Sequence, residues 1–246
     1  MTNQKPFVGR SRWIWAPSQN GCWSAPTPRG RNPFHMAYFR RRFTASAGDT
    51  LTVHVTADSR YILWCNGVRV GRGPAKGDVR HHFYETYDLT EHLRAGENVI
   101  AAQVLSYSST VSFPPEATAP TSIMYFANAF ALSGEVVDAN GVERERIDSN
   151  NQWRALNDDA YVYSQRPGWH TFLGMFEDVY GDEYPHGWET VEFDDSAWEP
   201  AHAFYERFSF PGDVDSELPH RLIPRLVPQL EEIPCRFDGV AQPDNT

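Results

Sequence analysis

The sequence predicts an all-β protein, a sandwich or barrel of short strands. Eighteen prolines and 17 glycines are spread along 246 residues, which leaves little room for long helices. Runs of β-type residues recur about every ten residues between Gly, Asn and Asp punctuation. Two of those runs flank Asn66-Gly67, a pair suited to a type I′ hairpin turn.

Each element follows from its local pattern. Residues 1–34 hold Pro17, Pro26, Pro28 and Pro33 with glycines between them and read as an irregular segment. Residues 50–56 (TLTVHVT) set Leu51, Val53 and Val55 on one face against Thr50, Thr52, His54 and Thr56, the period of a half-buried strand. Residues 61–65 and 68–70 form the hairpin arms around Asn66-Gly67. From Asp88 to Gly96 the chain reads as one helical turn. Asp88 or Thr90 would cap it, with Glu91 three residues after Asp88 and Gly96 at the C-terminal stop. Residues 99–107 and 123–132 read as strands, the second nearly continuous in apolar side chains and so buried. Asp138-Ala139-Asn140-Gly141 is a turn before a polar strand, 142–147, and 161–164 and 171–176 are shorter strands.

The expected body of the sandwich is 35–204, followed by an extended tail, 205–246. From Leu218 to Pro234 the tail carries Pro219, Pro224, Pro228 and Pro234, too frequent for a helix or a central strand. Its apolar residues Leu222, Ile223, Leu226, Val227, Leu230 and Ile233 need cover, so the tail is expected to dock on a catalytic domain or partner chain.

Composition excludes several classes. The chain has 22 Lys and Arg against 32 Asp and Glu, a formal charge of −10, the wrong sign for tracking nucleic-acid phosphates. Aromatic residues at 14% give ample area to bury, which excludes disorder. No apolar run is long enough for a membrane span or a signal-peptide core. Cys22, Cys65 and Cys235 are odd in number and far apart, so a reducing, cytoplasmic setting is expected over a disulfide framework.

Few motifs suggest catalysis. No G-x-S-x-G elbow or H-x-x-x-H pair occurs. The glycines of 67–77 (GVRVGRGPAKG) lack the Lys-Ser/Thr ending of a phosphate loop and read as close backbone packing. His81-His82 lacks further metal ligands and reads as one side chain in and one out of a strand. Asp194-Asp195-Ser196-Ala197-Trp198 reads as a turn whose tryptophan folds back as a plug, since adjacent carboxylates seldom converge across a sugar.

The region most suggestive of binding is 169–188. It interleaves Trp169, Phe172, Phe176, Tyr180, Tyr184 and Trp188 with His170, Glu177, Asp178, Asp182 and Glu183. Aromatic faces stack on the C–H-rich face of a sugar and carboxylates accept its hydroxyl hydrogens. Trp169, Glu177, Asp178, Tyr180 and Trp188 are therefore the candidate carbohydrate-binding residues. No cofactor is indicated, although oxygen-rich clusters of this kind also suit Ca²⁺. The alternative is that the aromatics are core and the acids a solvated loop.

An ordered set of motifs resembles a known family. Ala57-Asp58-Ser59-Arg60-Tyr61 runs into Trp64-Cys65-Asn66-Gly67 and Gly71-Arg72-Gly73-Pro74. Tyr87-Asp88-Leu89-Thr90 and Gly96-Glu97-Asn98-Val99-Ile100 follow, then Gly187-Trp188, Asp194-Asp195-Ser196-Ala197-Trp198 and Arg221-Leu222-Ile223-Pro224. From about Tyr38 to Pro234 the chain resembles the N-terminal domain of bacterial α-L-rhamnosidases of glycoside hydrolase family 78. The resemblance implies a jelly-roll, galactose-binding-like β-sandwich. It also implies that catalysis belongs to a downstream (α/α)₆ barrel, so no catalytic acid is carried over. The expected function is a non-catalytic module associated with carbohydrate, for which an L-rhamnose-containing glycan is the implied ligand. A purely structural scaffold is the first alternative and direct hydrolysis of α-L-rhamnosides the second.

Overall fold

The computed structural model describes residues 5–17, 35–78, 80–106, 128–164, 176–204, 221–233, 235–236 and 239. Its strands, in chain order, are β1 (Trp13–Trp15), β2 (His35–Ala45), β3 (Thr50–Asp58), β4 (Arg60–Cys65) and β5 (Val68–Gly73). β6 (His82–Asp88), β7 (Gly96–Ser106), β8 (Ala129–Val137), β9 (Glu143–Arg146) and β10 (Arg154–Asn157) follow. The last are β11 (Tyr161–Ser164), β12 (Phe176–Val179), β13 (Glu199–Pro200), β14 (His202–Phe204) and β15 (Leu222–Pro224).

Among the described residues these form a β-sandwich. One sheet runs β14-β1-β8-β3-β6-β15 with β9 added to β8, and the other runs β13-β10-β2-β7-β4-β5. β11 and β12 form a separate hairpin pair. The alternation in β3 drives Leu51, Val53 and Val55 fully inward, each burial contributing about 1.5–3 kcal/mol. The opposite sheet sends Phe39 across to stack on Phe130 with ring centroids 5.4 Å apart. Trp153 meets the same Phe130 edge-on at 5.8 Å.

The β4–β5 hairpin turns at Asn66 (φ 50°) and Gly67 (φ 81°), the paired positive φ of a type I′ turn. Asn66 is also a joint: its Nδ2 donates to His92 O at 2.8 Å and to Asn98 Oδ1 at 2.7 Å. Its Oδ1 accepts the Val99 amide at 2.9 Å. In the turn before β9, Asp138 Oδ1 accepts the amides of Asn140 and Val142 at 2.8 and 3.0 Å.

The structure departs from the sequence reading in three places. The expected irregular segment 1–34 contributes β1, whose Ile14 bridges Ala203 on one side and Phe130 on the other. The apolar triplet Trp13-Ile14-Trp15 is buried there, a stronger pull than the surrounding prolines. The tail contributes β15, which pairs in parallel with β6 from Leu222 opposite His82 to Pro224 opposite Tyr84. It tolerates proline because it is the last strand of its sheet. The turn after Asp88 is a 3₁₀ turn at Thr90–His92 with Leu89 at its N-cap and no side-chain cap; Asp88 Oδ1 instead accepts the Thr90 amide at 3.0 Å. Residues 123–127 and 171–175 of two expected strands lie outside the described residues.

Candidate functional site

The outer face of the β2–β7 sheet carries the candidate site. Alternation in β2 sends Ala37 and Phe39 to the core and turns Tyr38 and Arg40 the other way. That outer face, with Tyr38, Trp64, Ala101 and Leu156, is covered by Tyr184, Trp188, Phe193 and Trp198 from the 184–198 segment. Tyr38 and Trp188 rings lie 4.8 Å apart, Trp64 and Trp188 5.1 Å apart. The Trp188 indole donates to Tyr184 Oη at 3.1 Å.

A buried arginine hangs this cover in place. Arg40 is 0% exposed, and its Nε donates to Asp195 Oδ2 at 2.8 Å. Its Nη1 donates to Thr190 O at 2.9 Å and also to Trp188 O. Burial pulls the guanidinium pKa below its ordinary value, while Asp195 acts in the opposite sense.

Beside this cover lies a cavity of about 420 Å³. Tyr38, Leu156 and Pro185 give it apolar wall, and Asn157, Asp158, Asp159 and Glu183 give it polar groups. Asp158 is nearly buried and accepts the Tyr38 hydroxyl at 2.7 Å and the Tyr161 amide at 2.8 Å. Burial raises the Asp158 pKa, and these hydrogen bonds oppose the rise. Burial also drives the Tyr38 phenol well above its ordinary value, with Asp158 adding to the shift, so Tyr38 stays a proton donor.

None of the five expected binding residues is among those that line this cavity. Trp169 lies outside the described residues. Glu177 and Asp178 sit on β12 opposite Tyr163 and Val162 of β11, and consecutive strand positions face opposite ways, so they do not converge. Tyr180 is 44% exposed, and its amide is anchored to Ala160 O at 2.9 Å. Trp188 requires correction. At 1% exposure its faces are taken by Tyr38, Trp64 and Trp198, and no sugar can stack on it. It is core, like Trp198, with the partly buried Trp64 packed against it.

The cavity residues were accessible to sequence reasoning only in part. Glu183 lies inside the aromatic–acid region, and Asn157-Asp158-Asp159 is a polar run between two short strands. Nothing in the sequence shows that β10 is laid beside β2, with Leu156 opposite Tyr38.

Asp194 and Asp195 are both committed to structure. Asp194 Oδ1 accepts the Ser196 amide at 2.9 Å, and the Trp198 amide donates to Asp195 O at 3.0 Å. The Trp198 indole is buried as the expected plug. His81 is exposed beside Asp78, whereas His82 is buried with Nε2 3.1 Å from Ala57 O. A Cβ on Gly71 would meet the Tyr87 ring at 2.9 Å, and one on Gly73 would meet the Glu85 carboxylate, so both glycines serve close packing. Burial pushes the Cys65 thiol up to about 12, which keeps it protonated and unreactive. Among the described residues no group of three or more His, Cys, Asp or Glu side chains could hold a metal ion, so no Ca²⁺ ligand set is assigned.

The tail is held by charge and presents its apolar side outward. Arg225 Nη1 donates to Glu85 Oε1 at 3.2 Å. Glu85, 0% exposed, also accepts the Tyr61 hydroxyl at 2.8 Å and the Ala75 amide at 2.7 Å. Further along, Glu232 pairs with Arg69 at 2.9 Å and Arg72 at 2.8 Å. Leu222 is buried, but Leu226, Val227, Leu230 and Ile233 are exposed at 75%, 53%, 73% and 71%.

The family model described as alpha-L-rhamnosidase N-terminal domain matches residues 48–216. An alpha-L-rhamnosidase of Formosa agariphila is 24% identical over 172 residues, 67% of this chain and 17% of that protein. One from Streptomyces avermitilis is 28% identical over 194 residues, 75% of this chain and 16% of that protein. The chain thus spans only a small part of these relatives. Among solved structures, the GH78 family rhamnosidase of Bacillus sp. GL1 is similar with a TM-score of 0.59 and 26% identity, over 89% of this chain and 20% of that one. The alpha-L-rhamnosidase of Dictyoglumus thermophilum shares the fold with a TM-score of 0.61 and 20% identity, over 89% of this chain and 22% of that one.

Proposed function

Because the chain belongs to the alpha-L-rhamnosidase N-terminal domain family, we propose that it is a non-catalytic, carbohydrate-associated module of an α-L-rhamnosidase-type glycoside hydrolase. The observation that carries the binding part is the cavity between β10, the start of the β11 hairpin and the 183–185 segment. Its volume of about 420 Å³ suits a small saccharide. Leu156 and Pro185 offer apolar wall to ring C–H groups, Asp159 and Glu183 accept hydroxyl hydrogens, and the Asn157 amide can do both. Asp158 is the floor, fixed by Tyr38.

The ligand class proposed is an L-rhamnose-containing glycan. Titration calorimetry with L-rhamnose and rhamnosylated oligosaccharides, with and without Ca²⁺, tests it. Binding should be lost in Asp159→Asn/Glu183→Gln; absence of heat at millimolar sugar sinks the reading.

A second reading is favoured by one observation, the outward apolar side chains of a tail that is itself held by ion pairs. In that reading the module buttresses a neighbouring catalytic domain through Leu226, Val227, Leu230 and Ile233. The chain alone should then self-associate by light scattering, and Leu226→Ser/Leu230→Ser should render it monomeric. A monomeric parent chain counts against docking. A cytoplasmic setting, expected from cysteine usage, remains part of the proposal.

A further inference from the structure

Three asparagines in this chain are followed by glycine: Asn20, Asn66 and Asn140. Before glycine a side-chain amide is most open to attack by the next backbone nitrogen, because no Cβ hinders the approach. Asn20 lies outside the described residues. The other two sit in hairpin turns with opposite surroundings.

Asn66 is shielded. It is buried, and its side-chain amide is held at both ends, by His92 O, Asn98 Oδ1 and the Val99 amide. The Gly67 nitrogen that would attack it donates to Glu189 O at 2.9 Å, in a distant segment. Asn140 is open to solvent, and among the described residues its side chain has one polar partner, the Asp138 carboxylate. Gly141 is exposed too, at φ 78°, and a Cβ there would meet nothing within 4 Å. The Gly141 amide donates to Asp138 O at 2.9 Å, a bond internal to the turn. Bonds within an exposed turn open at small cost. The other described asparagines, 98, 128, 150, 151 and 157, precede Val, Ala, Asn, Gln and Asp, whose side chains hinder the approach.

We infer that Asn140 is a site of spontaneous deamidation, with Gly141 supplying the nucleophile and water the second reactant. The Gly141 nitrogen gives its proton to base and bonds to Asn140 Cγ. The side-chain nitrogen leaves as ammonia, and a five-membered succinimide remains. Water then opens one of its two C–N bonds. Cleavage at Cγ leaves aspartate, and cleavage at the main-chain carbonyl leaves isoaspartate, with the chain routed through Cβ. Either product places a new carboxylate beside Asp138. Arg144, 3.5 Å from Asp138 and 3.2 Å from Asp49, already serves two carboxylates. Isoaspartate also lengthens the main chain inside the turn that joins β8 to β9. Asp138 Oδ1 there accepts the amides of Asn140 and Val142, and the Asp138 amide donates to Val142 O at 2.9 Å. The conversion therefore loosens this hairpin end. Neither Asn140 nor Gly141 lines the saccharide cavity, so the inference stands apart from that reading.

Incubation of the full chain in mildly alkaline buffer, native and in concentrated urea, tests it by peptide mass spectrometry. In urea the peptides carrying 66 and 140 should both exchange NH₂ for OH at similar rates. In the native chain Asn140 should convert within about tenfold of its urea rate. Asn66, with three hydrogen bonds on its amide, should be slowed about a hundredfold or more. The Asn140 rate should rise with pH, since the attacking nitrogen must lose a proton. Asn140→Gln, which would need a six-membered ring, should halt the conversion at that position. In the isoaspartate form, separated by anion exchange, the Asp138 and Val142 amides should exchange hydrogen about tenfold faster or more. The Leu89 amide, bonded to Leu51 O on β3, should be unchanged. Asn140→Asp adds the charge without lengthening the chain and should loosen the turn less. The inference is overturned if native Asn140 is protected as strongly as Asn66, or if Asn140→Gln converts as fast as the parent. Unchanged exchange at Asp138 and Val142 overturns the loosening of the hairpin.

Discussion

Arg40 donates from Nε to Asp195 Oδ2 at 2.8 Å, joining the middle of β2 to a turn 155 residues later in the chain. The contact explains why two adjacent aspartates occur in that turn. Asp194 closes the turn on the Ser196 amide. Asp195 neutralises a guanidinium that has no exposed surface. The aromatic cover over Tyr38 and Trp64 is thus suspended from a strand cation, and the cavity beside it inherits its shape from that suspension.

Removing Asp195 therefore strands a buried charge. Asp195→Ala should destabilise the chain by about 3–5 kcal/mol, the usual range for breaking one partner of a buried pair. Asp194→Ala, at an exposed carboxylate, should be clearly milder. Urea unfolding of both variants checks this, and equal midpoints would refute the division of roles.

The Arg225–Glu85 contact makes a prediction in pH. Burial raises the Glu85 pKa above its ordinary value, while Tyr61, Ala75 and Arg225 each hold it down. A carboxyl whose folded pKa is raised binds more protons folded than unfolded, so its contribution falls as pH rises through that folded value. Arg225→Met removes one opposing charge and moves the folded value higher. The variant should lose about 3 kcal/mol at pH 7 and markedly less at pH 4. Adding Glu85→Gln to it should flatten the difference. A loss that is the same at both pH values would show that Arg225 acts by packing alone.

Most of the sandwich was legible because its signals are local. The period of two in β3 and the Asn66-Gly67 turn each need only neighbouring residues to be read. The site was less legible because it depends on which strands become neighbours. Trp188 stands among acids in the sequence, as a sugar platform would, yet its environment is set by Tyr38, Trp64 and Trp198. These are contacts between residues far apart in the chain, and alternation along β2 alone does not reveal them. Likewise β1 and β15 sit in proline-rich surroundings, and only pairing with β8, β14 and β6 makes them strands.

The hairpin turn separates backbone strain from hydrogen bonding. At φ 50° Asn66 occupies the left-handed region, where an alanine is strained. Its amide also serves Val99, His92 and Asn98. Asn66→Ala should lose both contributions, about 2 kcal/mol or more. Asn66→Gly should lose only the hydrogen bonds and be the milder of the two. Thermal melts that rank glycine below alanine would contradict this assignment.

Trp188 and Asp159 distinguish fold from ligand contact. Trp188 is 1% exposed, so Trp188→Ala opens a hole in the aromatic cover and should destabilise by about 3–5 kcal/mol. Tyr180 is 44% exposed, and Tyr180→Ala should stay within about 0.5 kcal/mol of the parent. Asp159→Asn, at an exposed cavity side chain, should leave unfolding unchanged and weaken saccharide binding. Urea unfolding and calorimetry on the three variants should thus give one fold-defective protein, one near-silent change and one binding defect. A Trp188→Ala chain with parental stability would return that indole to the list of sugar platforms.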